Sequence, residues 1–112
     1  MTTTPTSSEK VALYNKVKGV FKGLFTEAKE LSKKRPSDIM SKQKVALINQ
    51  VLKDVEVVTS DEPQAAYVQL LDEVTLPQNS DAVLVMVQHE AALSAFKSNH
   101  FDNSLYDWLT ED

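Results

Sequence analysis

Between Glu9 and about Lys34, the apolar residues Leu13, Tyr14, Val17, Val20, Phe21, Leu24, Phe25, Ala28 and Leu31 recur every three or four positions. That period predicts one long amphipathic helix. Ser7 or Ser8 can cap its start, and Pro36 stops it just after Lys33-Lys34-Arg35, three cations that suit the negative end of a helix. A second helix is predicted from about Lys42 to Val57, with Val45, Ile48, Val51, Leu52 and Val55 facing inward. Thr59-Ser60-Asp61-Glu62-Pro63 reads as a restart, with a hydroxyl cap, acids in the first turn and a proline where no donor is needed. A third helix, Asp61 to about Val74, is expected to bury Ala66, Tyr67, Leu70, Leu71 and Val74.

The most apolar stretch, Ser80–Ser98, is expected to be the central helix, capped by Ser80. Its run Ala82–Val87 also suits a buried strand, but the apolar spacing continues through His89, Ala92, Leu93 and Phe96 without Gly or Pro. At about 100° per residue the apolar side chains cover most of the circumference, so helices are expected on several sides. Asn103 then caps a short last helix, Ser104–Thr110, presenting Leu105, Trp108 and Leu109. The predicted architecture is all-α: a compact bundle of four main helices plus a short C-terminal helix, central helix about 80–98. Residues 1–8 are expected to be a disordered tail and 9–112 a single helical domain.

Composition narrows the possibilities more than it identifies a function. The chain has 112 residues, 42% apolar and 25% charged, with two glycines and four prolines, too few for a loop-rich β-protein. The absence of Cys removes disulfides, thiol nucleophiles and thiolate metal sites together. No apolar run approaches the roughly 18 residues of a membrane span. Residues 1–8 lack the basic and apolar regions of a signal peptide, so a cytoplasmic location is expected.

Charge changes the picture. Residues 1–53 carry 11 Lys and Arg against four acids, net +7, whereas residues 54–112 carry one Lys against 12 acids, net −11. Either the halves neutralise each other across the bundle, or a basic surface is left for an acidic partner, nucleic acid or a second copy of the chain.

Gly19 and Gly23, the only glycines, lie in the first helix opposite its apolar stripe. Each costs about 1 kcal/mol against Ala there. They are either tolerated or allow a partner backbone to approach. The candidate partner-binding face is therefore Asn15, Gly19, Lys22, Gly23, Thr26, Lys33, Lys34 and Arg35.

His89 falls on the apolar side of its helix, which suits a buried, hydrogen-bonded imidazole. His100 lies 11 residues on, about 16 Å along a helix, too far to share a metal ion. Glu27 and Glu30, or Asp72 and Glu73, fall on solvated faces, and no phosphate loop or nucleophile elbow is present. Phe101, Tyr106 and Trp108 crowd the last 12 positions, either closing the bundle or anchoring a partner.

The expected function is that of a small non-catalytic helical protein, not an enzyme. It would act as a protein–protein interaction or regulatory module, with no cofactor, metal or membrane and with a protein partner or self-association. The alternative is a nucleic-acid-associated regulator using residues 10–53, in particular Lys16, Lys22, Lys33, Lys34, Arg35, Lys42 and Lys44.

Overall fold

In the computed structural model, which describes residues 3–112, the first helix starts where a hydroxyl cap is available. The Ser7 side chain accepts from the Lys10 amide at 3.2 Å. Helix α1 then runs Ser8–Lys34, 27 residues, or about 40 Å at 1.5 Å per residue. That length sets the long axis of a molecule measuring 45 × 24 × 22 Å. Helix α2, Lys42–Val58, is capped in the same way, Ser41 accepting from the Lys44 amide at 3.2 Å.

Helix α3, Asn79–His100, is longer than predicted and has no side-chain cap. Ser80 is not its N-cap, because the amides of Asn79 and Ser80 are committed to another segment. They donate to the carbonyls of Asp38 and Pro36 at 2.9 and 3.1 Å. The Met40 amide donates to the Pro77 carbonyl at 2.8 Å, so the two connectors are laced together beside the start of α3.

The three helices share one core. Tyr14, Val17, Phe21, Phe25 and Ala28 enter it from α1, Val45, Ile48, Leu52, Val55 and Val58 from α2, and Ala82, Met86, Leu93 and Phe96 from α3. In α1 and α2 these are the three-to-four-residue stripes read from the sequence, with the exception of Val20, which is exposed.

The bundle of four main helices plus a C-terminal helix is not what forms: among the described residues there are three α-helices and a small two-stranded antiparallel sheet. The segment expected as a helix over residues 61–74 makes only a 3₁₀ turn, Pro63–Tyr67, and is extended at Val68. A tertiary pair of hydrogen bonds and a local turn at Asp72 override its helical pattern. The buried Asn49 amide takes both backbone groups of Leu71, and Asp72 Oδ1 accepts from the amides of Val74 and Thr75 at 2.8 Å each. Of the five residues expected in the core, Leu71 alone is buried; Tyr67 is 75% exposed and Val74 94%.

The expected last helix is replaced by a hairpin of β1, Phe101–Asp102, and β2, Asp107–Trp108. Asp102 Oδ1 accepts from the Ser104 amide and hydroxyl at 2.9 and 2.6 Å, which starts a turn where Asn103 was expected to cap a helix. Tyr106 completes the turn at a φ of 54°. Trp108 then packs against Tyr14, Phe96 and Phe101 with ring centroids 5.1–5.6 Å apart.

Two further expectations change. With the fourth helix missing, α3 is not enclosed on all sides: Leu84 is 66% exposed, and Val87 and Ala91 face solvent with it. The stretch expected to be a loose tail over residues 1–8 is tied down from Thr4 onward, while residues 1 and 2 lie outside the described residues. Thr4 donates to the Asn99 carbonyl at 2.7 Å, and Thr6 lies beside Thr110, exchanging bonds of 3.0 and 2.8 Å with Leu109 and Glu111.

Candidate interaction surface

The period that buries Tyr14, Phe21 and Phe25 also places Lys18, Lys22 and Lys29 along one edge of α1, beside α3. Together with Thr26, Glu90, Leu93 and Ser94 these residues line a cleft of about 290 Å³. The floor is aromatic and apolar, whereas the rim carries three ammonium groups against the single carboxylate of Glu90. Lys29 Nζ stands 4.3 Å from the centre of the Phe25 ring and Lys18 Nζ 5.5 Å from that of Tyr14. Burial of the Tyr14 phenol raises its pKa. An adjoining cleft extends the groove past Ser94 and Ser98 to Phe101, with Lys97 Nζ 5.5 Å from that ring.

The charge split is not cancelled by direct pairing. Among the described residues, four Lys or Arg side chains lie within 4 Å of a carboxylate: Lys10–Asp61, Lys33–Glu30, Arg35–Asp38 and Lys44–Glu27. Of these, Lys10–Asp61 alone joins the basic half to the acidic half, and the Lys10 hydrogen bond holds the Asp61 carboxyl below its usual range. Lys18, Lys22 and Lys29 have no such partner among the described residues.

The predicted face divides accordingly. Lys22 and Thr26 line the groove. Gly19 and Gly23 lie on the next strip round the helix, where an added Cβ would have no neighbour within 4 Å. They serve no close contact within the fold. Asn15 and Lys34 are exposed, and Lys33 lies 3.4 Å from Glu30. Arg35 belongs to the connector: its amide donates to the Leu31 carbonyl at 2.8 Å, and its carbonyl accepts from Asn79 Nδ2 at 2.9 Å. Thirteen residues separate it from Lys22, about 20 Å of helix, so it is not part of the groove.

Sequence reasoning missed Lys18 and Lys29, although their spacing of four and seven residues from Lys22 was the available signal. It also missed the role of Glu62, which was read only as a first-turn acid and is buried. Glu62 accepts from Asn99 Nδ2 at 2.8 Å and lies 3.1 Å from His100 Nε2. His100 Nδ1 is 2.7 Å from the Thr4 carbonyl, so both ring nitrogens face oxygen atoms of other segments. This cluster fastens the N-terminal segment to the end of α3.

His89 is different. It is fully buried, Nδ1–H donates to the Val85 carbonyl at 3.0 Å, and Nε2 meets no partner. Burial pushes its pKa down, so the ring is held neutral within the core. No group of three or more His, Asp or Glu side chains is placed to hold a metal ion among the described residues. No helix among them is long and apolar enough to cross a membrane. No protein-family model, curated protein or solved structure matches this chain.

Proposed function

We propose that this protein is a non-catalytic interaction or regulatory module that docks an anionic partner protein along α1. The observation that carries the reading is the α1–α3 groove, where Lys18, Lys22 and Lys29 stand over an apolar, aromatic floor without carboxylate partners of their own. Such a groove supplies desolvated apolar contact at its centre and charge selection at its rim. Gly19 and Gly23 extend the site, because a partner backbone can approach there without displacing any side chain of the fold.

Nucleic acid is the competing partner, since lysines also suit phosphates. The groove is less suited to a single strand: Tyr14, Phe21 and Phe25 line it but are only 3–8% exposed, enough for an aliphatic contact and too little for a stacked base.

Capture from an extract of the native host tests the proposal. Reversing Lys18, Lys22 and Lys29 to Glu should abolish capture of the partner, while reversing Lys16, Lys42 and Lys53, with the same net charge change, should leave it. Equal loss from both sets would reduce the effect to net charge and reject the site. A shift of labelled DNA or RNA whose affinity falls linearly with log salt would favour the nucleic-acid reading instead.

A further inference from the structure

We infer that the occupant of the α1–α3 groove is the acidic loop tip Asp72–Val74 of a second copy of this chain. The inference rests on the reading of that groove as a docking site and names what fills it. The tip is built to project. Asp72 Oδ1 accepts from the amides of both Val74 and Thr75 at 2.8 Å, which locks a tight turn at the end of the extended segment. Those bonds hold the Asp72 carboxyl below its usual range, so it stays an anion. Val74 is 94% exposed, the most exposed of the large hydrophobic residues. Glu73 beside it is also exposed.

An acidic pair next to a bare valine matches what the groove offers. Lys18, Lys22 and Lys29 rim a floor of Phe21, Phe25 and Leu93. Val74 would enter the floor while Glu73 and the outer oxygen of Asp72 meet the ammonium groups. The molecule carries both members of the pair on different surfaces. Glu73 lies beside the outer side of α2, with Gln43, Leu47, Gln50 and Lys53, whereas the groove lies between α1 and α3. The contact is therefore head-to-tail, and each added copy presents another tip and another groove. A contact of this size is weak and salt-sensitive, because its charges are near solvent.

Sedimentation velocity over a concentration series tests it. The wild-type chain should self-associate at low salt and dissociate at about 1 M salt, where the Debye length is ~3 Å. Lys22→Glu/Lys29→Glu destroys the groove and keeps the tip, whereas Glu73→Lys/Val74→Lys destroys the tip and keeps the groove. All four positions are exposed, so the fold is not at stake. Each variant alone should associate at least tenfold more weakly than wild type. Mixed, they should form a 1:1 dimer and stop, because the pair holds one working tip and one working groove. A wild-type chain that stays monomeric throughout, or a mixture that does not pair, overturns the inference. Capture of another protein through the same lysines would survive that result, so the groove and its occupant fail separately.

Discussion

The side-chain amide of Asn49 and the backbone of Leu71 satisfy each other twice: Nδ2 donates to the Leu71 carbonyl at 2.9 Å, and Oδ1 accepts from the Leu71 amide at 2.9 Å. Asn49 imitates the edge of a β-strand from within a helix, and both residues are buried. The pair ties the backbone at Leu71 to α2 and keeps Leu71 in the core. It also accounts for the missing fourth helix, since a helical Leu71 would direct those backbone groups along its own axis.

Asn49→Ala should therefore cost about 2–4 kcal/mol, because two buried backbone groups lose their partners. Urea unfolding followed by circular dichroism measures this. A loss below about 0.5 kcal/mol, within the usual range of surface substitutions, would mean that the segment is not held by this pair.

His89 should make stability depend on pH. Its folded pKa is depressed below the ordinary value of 6.5 by burial, while the unfolded chain titrates normally. As pH falls through that ordinary value, the unfolded state takes up a proton that the folded state refuses. Stability is then lost with falling pH by up to ~1.4 kcal/mol per pH unit until the folded pKa is reached, and it is fully retained above the ordinary value. The Glu56 carboxylate opposes part of this effect. Comparing urea midpoints of wild type and His89→Gln at pH 7.5 and 5.5 isolates the contribution. The variant should show the smaller change, and identical slopes would show that His89 is not responsible.

Gly19→Ala and Gly23→Ala should each stabilise the chain by about 0.5–1 kcal/mol, since a methyl group meets nothing within 4 Å and helix propensity rises. Thermal denaturation of the double variant should show a higher midpoint. A lower one would mean that the glycines are needed within the fold itself.

Tyr106 holds a φ of 54° in the hairpin turn and is 87% exposed. Tyr106→Gly should relieve a left-handed backbone cost of about 1–2 kcal/mol, partly offset by the greater entropy of glycine when unfolded, with no packing lost. The expected outcome is an unchanged or modestly raised midpoint. A fall of several degrees would show that the tyrosine ring contributes a contact the turn depends on.

The features legible in the sequence were those decided within a few residues. The stripes of α1 and α2, the helical spacing of α3, the hydroxyl cap at Ser7 and the stop at Pro36 all follow from side-chain period and local backbone chemistry. Two residues of the candidate site were equally local, since α1 had to place Lys22 and Thr26 on one edge. Residues separated along the chain decided the rest. Asp61–Val74 has a helical pattern, yet the Asn49 amide claims the Leu71 backbone, and a helical period carries no record of a partner 22 residues away. Ser104–Thr110 likewise became a hairpin, in which Trp108 packs against Tyr14 and Phe96, residues distant in the chain, as well as Phe101. The +7 and −11 halves could be counted, but a count of charges holds no distances. Only the packing of α1 against α3 determined that Lys10 meets Asp61 while Lys18, Lys22 and Lys29 stand unpaired over a shared cleft.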